Sequence, residues 1–227
     1  MIARGRPGQA GRARCVLFDH DDTLVPTFAL RVEAFAVALR EVFGREMDAA
    51  AIFRVSNGRT IGEVAADVAG SDALRAAVLV RVYRDIYYDA SRTRALDPFP
   101  GIAETLTALR AAGIRVAVVT SKLRAGAEGE LKRASLLDLV EFVVGGDDIP
   151  RPKPAPDPIR HAMARFAMAA EAALMVGDTP ADVLAAHSAG ASSGAALWGT
   201  QDRPALLGHA PTYVFEDPRD VLAQVGA

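Results

Sequence analysis

In the stretch Cys15-Val16-Leu17-Phe18-Asp19-His20-Asp21-Asp22-Thr23-Leu24-Val25, four apolar residues lead into three acids, then a hydroxyl and two more apolar residues. The apolar run has the length and the β-branched or aromatic content of a strand buried on both faces. Asp19 and Asp21 then leave the strand's carboxyl end two residues apart, in backbone that is still near extended. In open α/β sheets that edge is where ligands bind. Carboxylates crowded there repel one another, so the stretch calls for a cation. Oxygen donors without a His or Cys cluster favour a hard ion such as Mg²⁺. The plainer alternative is a strand followed by a polar turn, since Asp and Thr are ordinary turn residues.

Three later stretches bear on this one, two of them apolar runs that end in polar groups. Val116-Ala117-Val118-Val119 runs into Thr120, Ser121 and Lys122, where hydroxyls and backbone N–H groups can hold phosphate oxygen. Asp147-Asp148-Ile149-Pro150-Arg151-Pro152-Lys153-Pro154-Ala155-Pro156-Asp157-Pro158 is a proline-rich loop, extended and rigid enough to aim the single ammonium of Lys153. Leu174-Met175-Val176-Gly177 delivers Asp178 to the same sheet edge as Asp19, with Asp182 four residues on at a helix start. A strand ending in Thr-Ser is commonplace, a proline-rich turn can carry an incidental lysine, and Asp182 can serve a helix dipole alone. Their order and spacing together make the stronger signal.

The four stretches resemble the motifs of the haloacid dehalogenase superfamily of phosphotransferases, from about Ala13 onward. The first motif there reads Asp-x-Asp-x-Thr after an apolar strand, and is Asp19-His20-Asp21-Asp22-Thr23 here. Thr120 takes the second-motif position and Lys153 the third, in an element similar to Lys-Pro-x-Pro. Gly177-Asp178 with Asp182 is similar to the fourth, Gly-Asp-x-x-x-Asp. Leu197-Trp198-Gly199 is similar to phosphoglycolate-phosphatase-like members.

The resemblance implies a doubly wound parallel α/β sheet with a small all-helical cap inserted after the first strand. The alternating pattern of the chain agrees. Strand signals are absent between Pro26 and about Asp97, where Phe28, Val32, Phe35, Leu39 and Val42 recur at helical spacing behind a candidate cap at Thr27, and further helices are predicted over 61–69 and 73–90. After Phe99, strands are predicted over 114–119, 141–144, 173–176, 194–198 and 212–215, and helices over 100–112, with Pro100 in the first turn, and over 124–135, 156–166, 181–189 and 218–225. Such alternation with short connections gives a parallel sheet. The expected organisation is an arm at 1–12, a core at 13–25 and 98–227, and a helical cap at 26–97.

By the same resemblance, Asp19 is the nucleophile of an aspartyl-phosphate mechanism. Asp21 protonates the leaving alcohol and then deprotonates the attacking water, and crowding by like charge helps keep it protonated. Mg²⁺ is held by Asp19, by the backbone carbonyl of Asp21 and by Asp178, with Asp182 in support. Thr120, Ser121 and Lys153 hold the phosphoryl oxygens, and Arg59, in the loop Ser56-Asn57-Gly58-Arg59-Thr60, is a candidate for substrate selection. The position after Asp21 is often Gly in the family and is Asp22 here, which adds a negative charge near the site.

Composition bounds the remaining possibilities. At 227 residues with 51% apolar and a formal net charge of −2, the chain has material for a sizeable core and no general affinity for nucleic acid. Its basic residues are almost all Arg; Lys122, Lys132 and Lys153 are the exceptions, so each lysine merits inspection. The single Cys15 excludes an internal disulfide and suits a reducing cytoplasm. No apolar run has transmembrane length, and the basic, Gly-rich residues 1–12 lack the apolar core of a signal peptide.

The expected activity is therefore hydrolysis of a small phosphorylated metabolite by a cytoplasmic monomer or homodimer, without membrane or nucleic-acid partners. Dehalogenation is disfavoured by the presence of Asp21, which that chemistry does not need. A Schiff-base phosphonate hydrolase is disfavoured because residues 26–97 hold no lysine. A sugar-phosphate mutase uses the same acids and stays open. Among non-enzymes, a phospho-Asp signalling module is much shorter, and a silent binding protein would not need the whole matched set.

Overall fold

The computed structural model describes residues 13–56 and 58–226, so the N-terminal arm and Asn57 lie outside the described residues. One sheet contains β1 (Cys15–Phe18), β2 (Arg115–Val119), β3 (Val143–Val144), β4 (Ala173–Gly177), β5 (Ser192–Ala196) and β6 (Tyr213–Phe215). All pairings are parallel, in the order β3-β2-β1-β4-β5-β6. The chain steps outward from β1 to β3 and then restarts on the other side of β1 with β4. That reversal opens a crevice between the carboxyl ends of β1 and β4. Phe18 is level with Val118 on one side and Val176 on the other, so three strands deliver their polar ends to one place.

Between β1 and the rest of the sheet lie α1 (Phe28–Phe43), α2 (Ala49–Val55), α3 (Ile61–Ala69) and α4 (Ala73–Thr93), with no strand among the described residues there. Their apolar faces close on a shared aromatic cluster. The Phe35 ring packs at a tilt 4.9 Å from Phe53 and meets Tyr83 edge-on at 5.6 Å. The core then supplies α5 (Ile102–Ala111), α6 (Arg124–Arg133), α7 (Asp157–Phe166), α8 (Pro180–Ala189) and α9 (Arg203–Gly208).

Alternation along β1 shows why the strand must be apolar throughout. Successive side chains point to opposite faces. Val16 and Phe18 pack with Ile102, Leu106 and Leu131 of α5 and α6. Cys15 and Leu17 pack with Ile159, Ala162 and Ala185 of α7 and α8. The Cys15 thiol has no disulfide partner, and burial pushes its pKa up to about 11.

Several elements differ locally from the sequence reading. α2 and α9 were not predicted: at seven and six residues they are too short to show a period, and the side chains of Asp48 and Asp202 cap them. β3 begins at Val143 rather than Glu141, and β5 ends at Ala196, which frees Trp198 from the strand. Pro100 lies in the turn before α5, whose N-cap is Gly101 at φ +89°. The closing segment Pro218–Gln224 is a 3₁₀ helix. Thr27 does not cap α1 with its side chain; its hydroxyl donates to Asp21 Oδ1 at 2.7 Å, and Asp22 accepts the Thr27 and Phe28 amides instead.

Candidate active site

Asp19 leaves β1 with its amide still bonded to the Val176 carbonyl at 2.9 Å. Its side chain is therefore fixed beside the end of β4, where Asp178 follows Gly177. Thr23, four residues on, folds back and donates to Asp178 Oδ1 at 2.8 Å. Trp198 donates its indole N–H to the Thr23 carbonyl at 3.0 Å, and a Cβ on Gly199 would collide with the Asp22 carbonyl. The Leu197-Trp198-Gly199 element thus braces the loop that carries Asp19 to Thr23. Asp22 itself sits at φ +57°, a conformation Asp tolerates better than most residues.

Lys153 is buried and meets three oxygens. Its ammonium lies 2.9 Å from Asp19 Oδ1, 2.6 Å from Asp182 Oδ1 and 2.9 Å from the Val119 carbonyl. Asp182 is aimed by the capping box of α8, in which Thr179 donates to its other oxygen at 2.6 Å. Gly177 makes room for that carboxylate, since a Cβ there would overlap it. Burial pulls the Lys153 ammonium towards neutrality, but Asp182 and Asp19 outweigh it and raise its pKa. The lysine stays charged.

The acids around it carry the opposite imbalance. Asp19, Asp178 and Asp182 place one carboxylate oxygen each within 4.8 Å of one another, and Lys153 contributes one positive charge. Two negative charges are left over. Burial, reinforced by Asp182 and Asp21 against Lys153, pushes Asp19 up to about 6. Burial and the neighbouring Asp22, Asp19 and Asp182 push Asp178 well above the carboxylate range, with the Thr23 hydrogen bond opposing. Asp19 Oδ1 is buried and faces the Lys153 ammonium at 2.9 Å. A surplus of two negative charges on hard oxygen donors fits a divalent hard cation such as Mg²⁺.

Thr120 and Ser121 follow β2 into the same cleft. Thr120 is buried, and its hydroxyl accepts the Lys122 amide at 3.1 Å. Ser121 Oγ is buried with no hydrogen-bond partner, so one hydroxyl is available to an incoming oxyanion. Glycines keep this turn close to β3: a Cβ on Gly146 would lie 2.5 Å from the Ser121 carbonyl oxygen. The cleft encloses about 1080 Å³, including its part open to solvent, and runs between the sheet edge and the helical insert. Arg59 lines it and pairs with Asp67. A Cβ on Gly58 would collide with the Thr179 side chain, so the loop of the insert reaches the active edge.

Asp21 stands in a different setting from the one crowding by like charge would give it. Burial alone would raise it, yet Lys122, His20 and Arg31 outweigh burial and hold its carboxyl well below the usual range. Lys122 Nζ lies 2.7 Å from Asp21 Oδ1, 2.6 Å from Glu130 Oε2 and 2.8 Å from the Tyr87 hydroxyl. Burial opposes charge on Lys122, but Asp21 and Glu130 prevail and its pKa rises. The extra charge of Asp22 is likewise neutralised, by Arg31 of α1.

Lys122, Glu130 and Tyr87 are residues that the motifs did not flag. The scarcity of lysine in an arginine-rich chain was the available signal for Lys122. Nothing in the sequence marked the other two.

Comparisons with known proteins bear on this geometry. Residues 16–196 match the family model for haloacid dehalogenase-like hydrolases. A phosphoglycolate phosphatase of Nitrosospira multiformis is 37% identical over 188 residues, covering 78% of this chain and 80% of its own. Pyrophosphatase PpaX of Bacillus velezensis is 27% identical over 215 residues, covering 95% and 97%. A crystal structure of a predicted phosphoglycolate phosphatase from Haemophilus somnus superposes with TM-score 0.81 at 26% identity, covering 95% of this chain and 99% of that one. Four motifs converge on the switch point of one parallel sheet, and the family match spans them all, so the chain belongs to the haloacid dehalogenase-like hydrolases.

Proposed function

We propose that this hydrolase removes phosphate from a small phosphorylated metabolite with the help of Mg²⁺, through an aspartyl-phosphate at Asp19. The chain is a phosphatase of the haloacid dehalogenase type, as its relatives are. The observation that carries the mechanistic reading is the arrangement around Asp19, a buried carboxylate with an ammonium 2.9 Å from Oδ1 and two further acids whose oxygens lie within 4.8 Å.

In this reading Asp19 attacks phosphorus and the leaving alkoxide departs on the opposite side. Lys153, anchored by Asp182 and the Val119 carbonyl, neutralises charge on the phosphoryl oxygens. Thr120 and Ser121 donate hydroxyl hydrogen bonds to them. Asp21 gives a proton to the leaving alkoxide, then takes one from the water that cleaves the acyl phosphate and frees Asp19. At rest Lys122 keeps Asp21 ionised; a phosphate ester arriving beside it supplies the like charge that raises its proton affinity, and Asp21 takes from water the proton it then passes to the leaving alkoxide. Asp19, the Asp21 carbonyl and Asp178 are the residues that would hold Mg²⁺, which withdraws charge from phosphoryl oxygen when bound. Residues 26–97 act as a cap that encloses the ester, with 13–25 and 98–227 as the core, and the enzyme works in the cytoplasm. Among the described residues no helix is long and apolar enough to cross a membrane.

The test is phosphate release from phenyl phosphate and a panel of small monoesters, with and without Mg²⁺, beside Asp19→Asn. Metal-dependent release that the substitution abolishes is the expected result. Release that survives in Asp19→Asn overturns the mechanism.

A further inference from the structure

The two walls of the cleft differ in charge. Its floor, at the sheet edge, carries Asp19, Asp21 and Asp178, whereas its roof contributes Arg31, Arg54, Arg59 and Arg84 from the insert. Two of these guanidiniums are already matched, Arg31 by Asp22 and Arg59 by Asp67. Among the described residues, Arg54 and Arg84 have no carboxylate partner. They come from different helices, α2 and α4, yet each immediately follows a ring of the aromatic cluster. Phe53 and Tyr83 pack with centroids 6.2 Å apart, which ties the two helices together one residue from the arginine pair. Both side chains line the cleft that holds Asp19.

On the phosphatase reading above, the phosphoryl group is accounted for at the floor by Lys153, Thr120, Ser121 and the cation. The roof faces the other end of the substrate. A neutral leaving group, such as a sugar hydroxyl, would leave both roof guanidiniums in water. A carboxylate or second phosphate matches their planar donors and their charge. We propose that Arg54 and Arg84 form a subsite for an anionic leaving group, so that the preferred substrates carry a second negative group beside the scissile phosphate. Arg59, whose charge Asp67 already takes up, contributes less to this selection than the loop position suggests.

The test compares kcat/KM with Mg²⁺ for 2-phosphoglycolate and pyrophosphate, whose leaving groups are anionic, against phenyl phosphate and glycerol 2-phosphate, whose leaving groups are neutral. The wild-type protein should favour the anionic pair. Arg54→Gln and Arg84→Gln should each cost about tenfold to a hundredfold on that pair, chiefly in KM, as expected for a lost charge-assisted hydrogen bond. Losses on the neutral pair should be under about threefold, and Arg→Lys should recover part of the affinity, since charge without the planar fork keeps part of the interaction. Asp19-dependent turnover with no preference for anionic leaving groups, or equal losses on both pairs, overturns this inference alone. No Asp19-dependent turnover of any ester removes the phosphatase reading and this inference with it.

Discussion

Lys122→Met is the substitution that most directly probes the buried charge network linking the insert to the sheet edge. The ammonium is 7% exposed and ties Asp21, Glu130 and Tyr87 together at 2.6–2.8 Å. Methionine keeps the length of the side chain and its packing on the Tyr87 ring, 4.6 Å from the ammonium. What it removes is the charge. Glu130 is wholly buried, and its other oxygen already lacks a hydrogen bond. Breaking such a pair from one side leaves a buried charge uncompensated and costs about 3–5 kcal/mol. For a chain of this size 1 kcal/mol moves the melting temperature by about 2–4 °C, so the fall should be roughly 6–20 °C.

Two further variants separate charge from packing. Tyr87→Phe deletes one hydrogen bond to the ammonium and should cost about 1–2 kcal/mol. Lys122→Met with Glu130→Gln removes both members of the pair, and should be more stable than Lys122→Met alone. Calorimetry at neutral pH reads all three. The pH dependence has a definite sign. Asp21 has a folded pKa below its unfolded value, so its stabilisation is present above about pH 4 and is lost as pH falls through the folded pKa. In Lys122→Met that stabilisation is gone, and the gap between wild type and variant should narrow on acidification. A drop below about 1 kcal/mol at neutral pH, or a gap that widens in acid, would refute the buried-pair reasoning.

Removal of metal should expose the opposite sign at Asp19 and Asp178, whose folded pKa values are raised. The metal-free protein should lose stability as pH rises from about 4 towards 6, by about 3 kcal/mol from Asp19 alone, as read by urea unfolding across that range. Asp178→Asn should be more stable than wild type without Mg²⁺ yet gain less on adding it, which thermal shift against metal concentration would show. Gly177→Ala should drive Asp182 off Lys153, lowering kcat by more than about tenfold, and activity at the wild-type level would contradict that packing. Trp198→Phe removes the bond to the Thr23 carbonyl, for a cost of about 1 kcal/mol measurable by calorimetry.

The sequence made legible what repeats locally. Strands of four or five buried apolar residues, each ending in Asp or Thr, carry their own evidence of burial and direction, and from these the parallel sheet and the convergence of Asp19, Thr120 and Asp178 follow, whereas Lys153 was placed only by the resemblance of its proline-rich loop. Helix ends were less legible because side chains compete for the same amides. Thr27 is a fair cap by type, but Asp22 is held by Arg31 in the better position, and that pairing spans nine residues. The Lys122 network was least legible, since its partners lie 101, 35 and 8 positions away and no spacing rule connects them. Lys122, His20 and Arg31 then reverse what burial and crowding suggest, and Asp21 is held ionised.

Asp19 and Asp21 are two residues apart and share a strand end, yet their environments push their proton affinities in opposite directions. The difference comes from which lysine each meets. Lys153 is shared between Asp19 and Asp182, so its single charge is divided and Asp19 stays underneutralised. Lys122 faces Asp21 with His20 and Arg31 in support, so Asp21 is overneutralised. An underneutralised carboxylate suits the proposed nucleophile, which would draw in a cation. On the proposed mechanism, an overneutralised one holds its charge until a dianionic substrate binds, and then takes up from water the proton that it passes to the leaving group. In that mechanism the two carboxylates thereby take different roles in one reaction, and the division is set by two lysines from separate loops of the sheet.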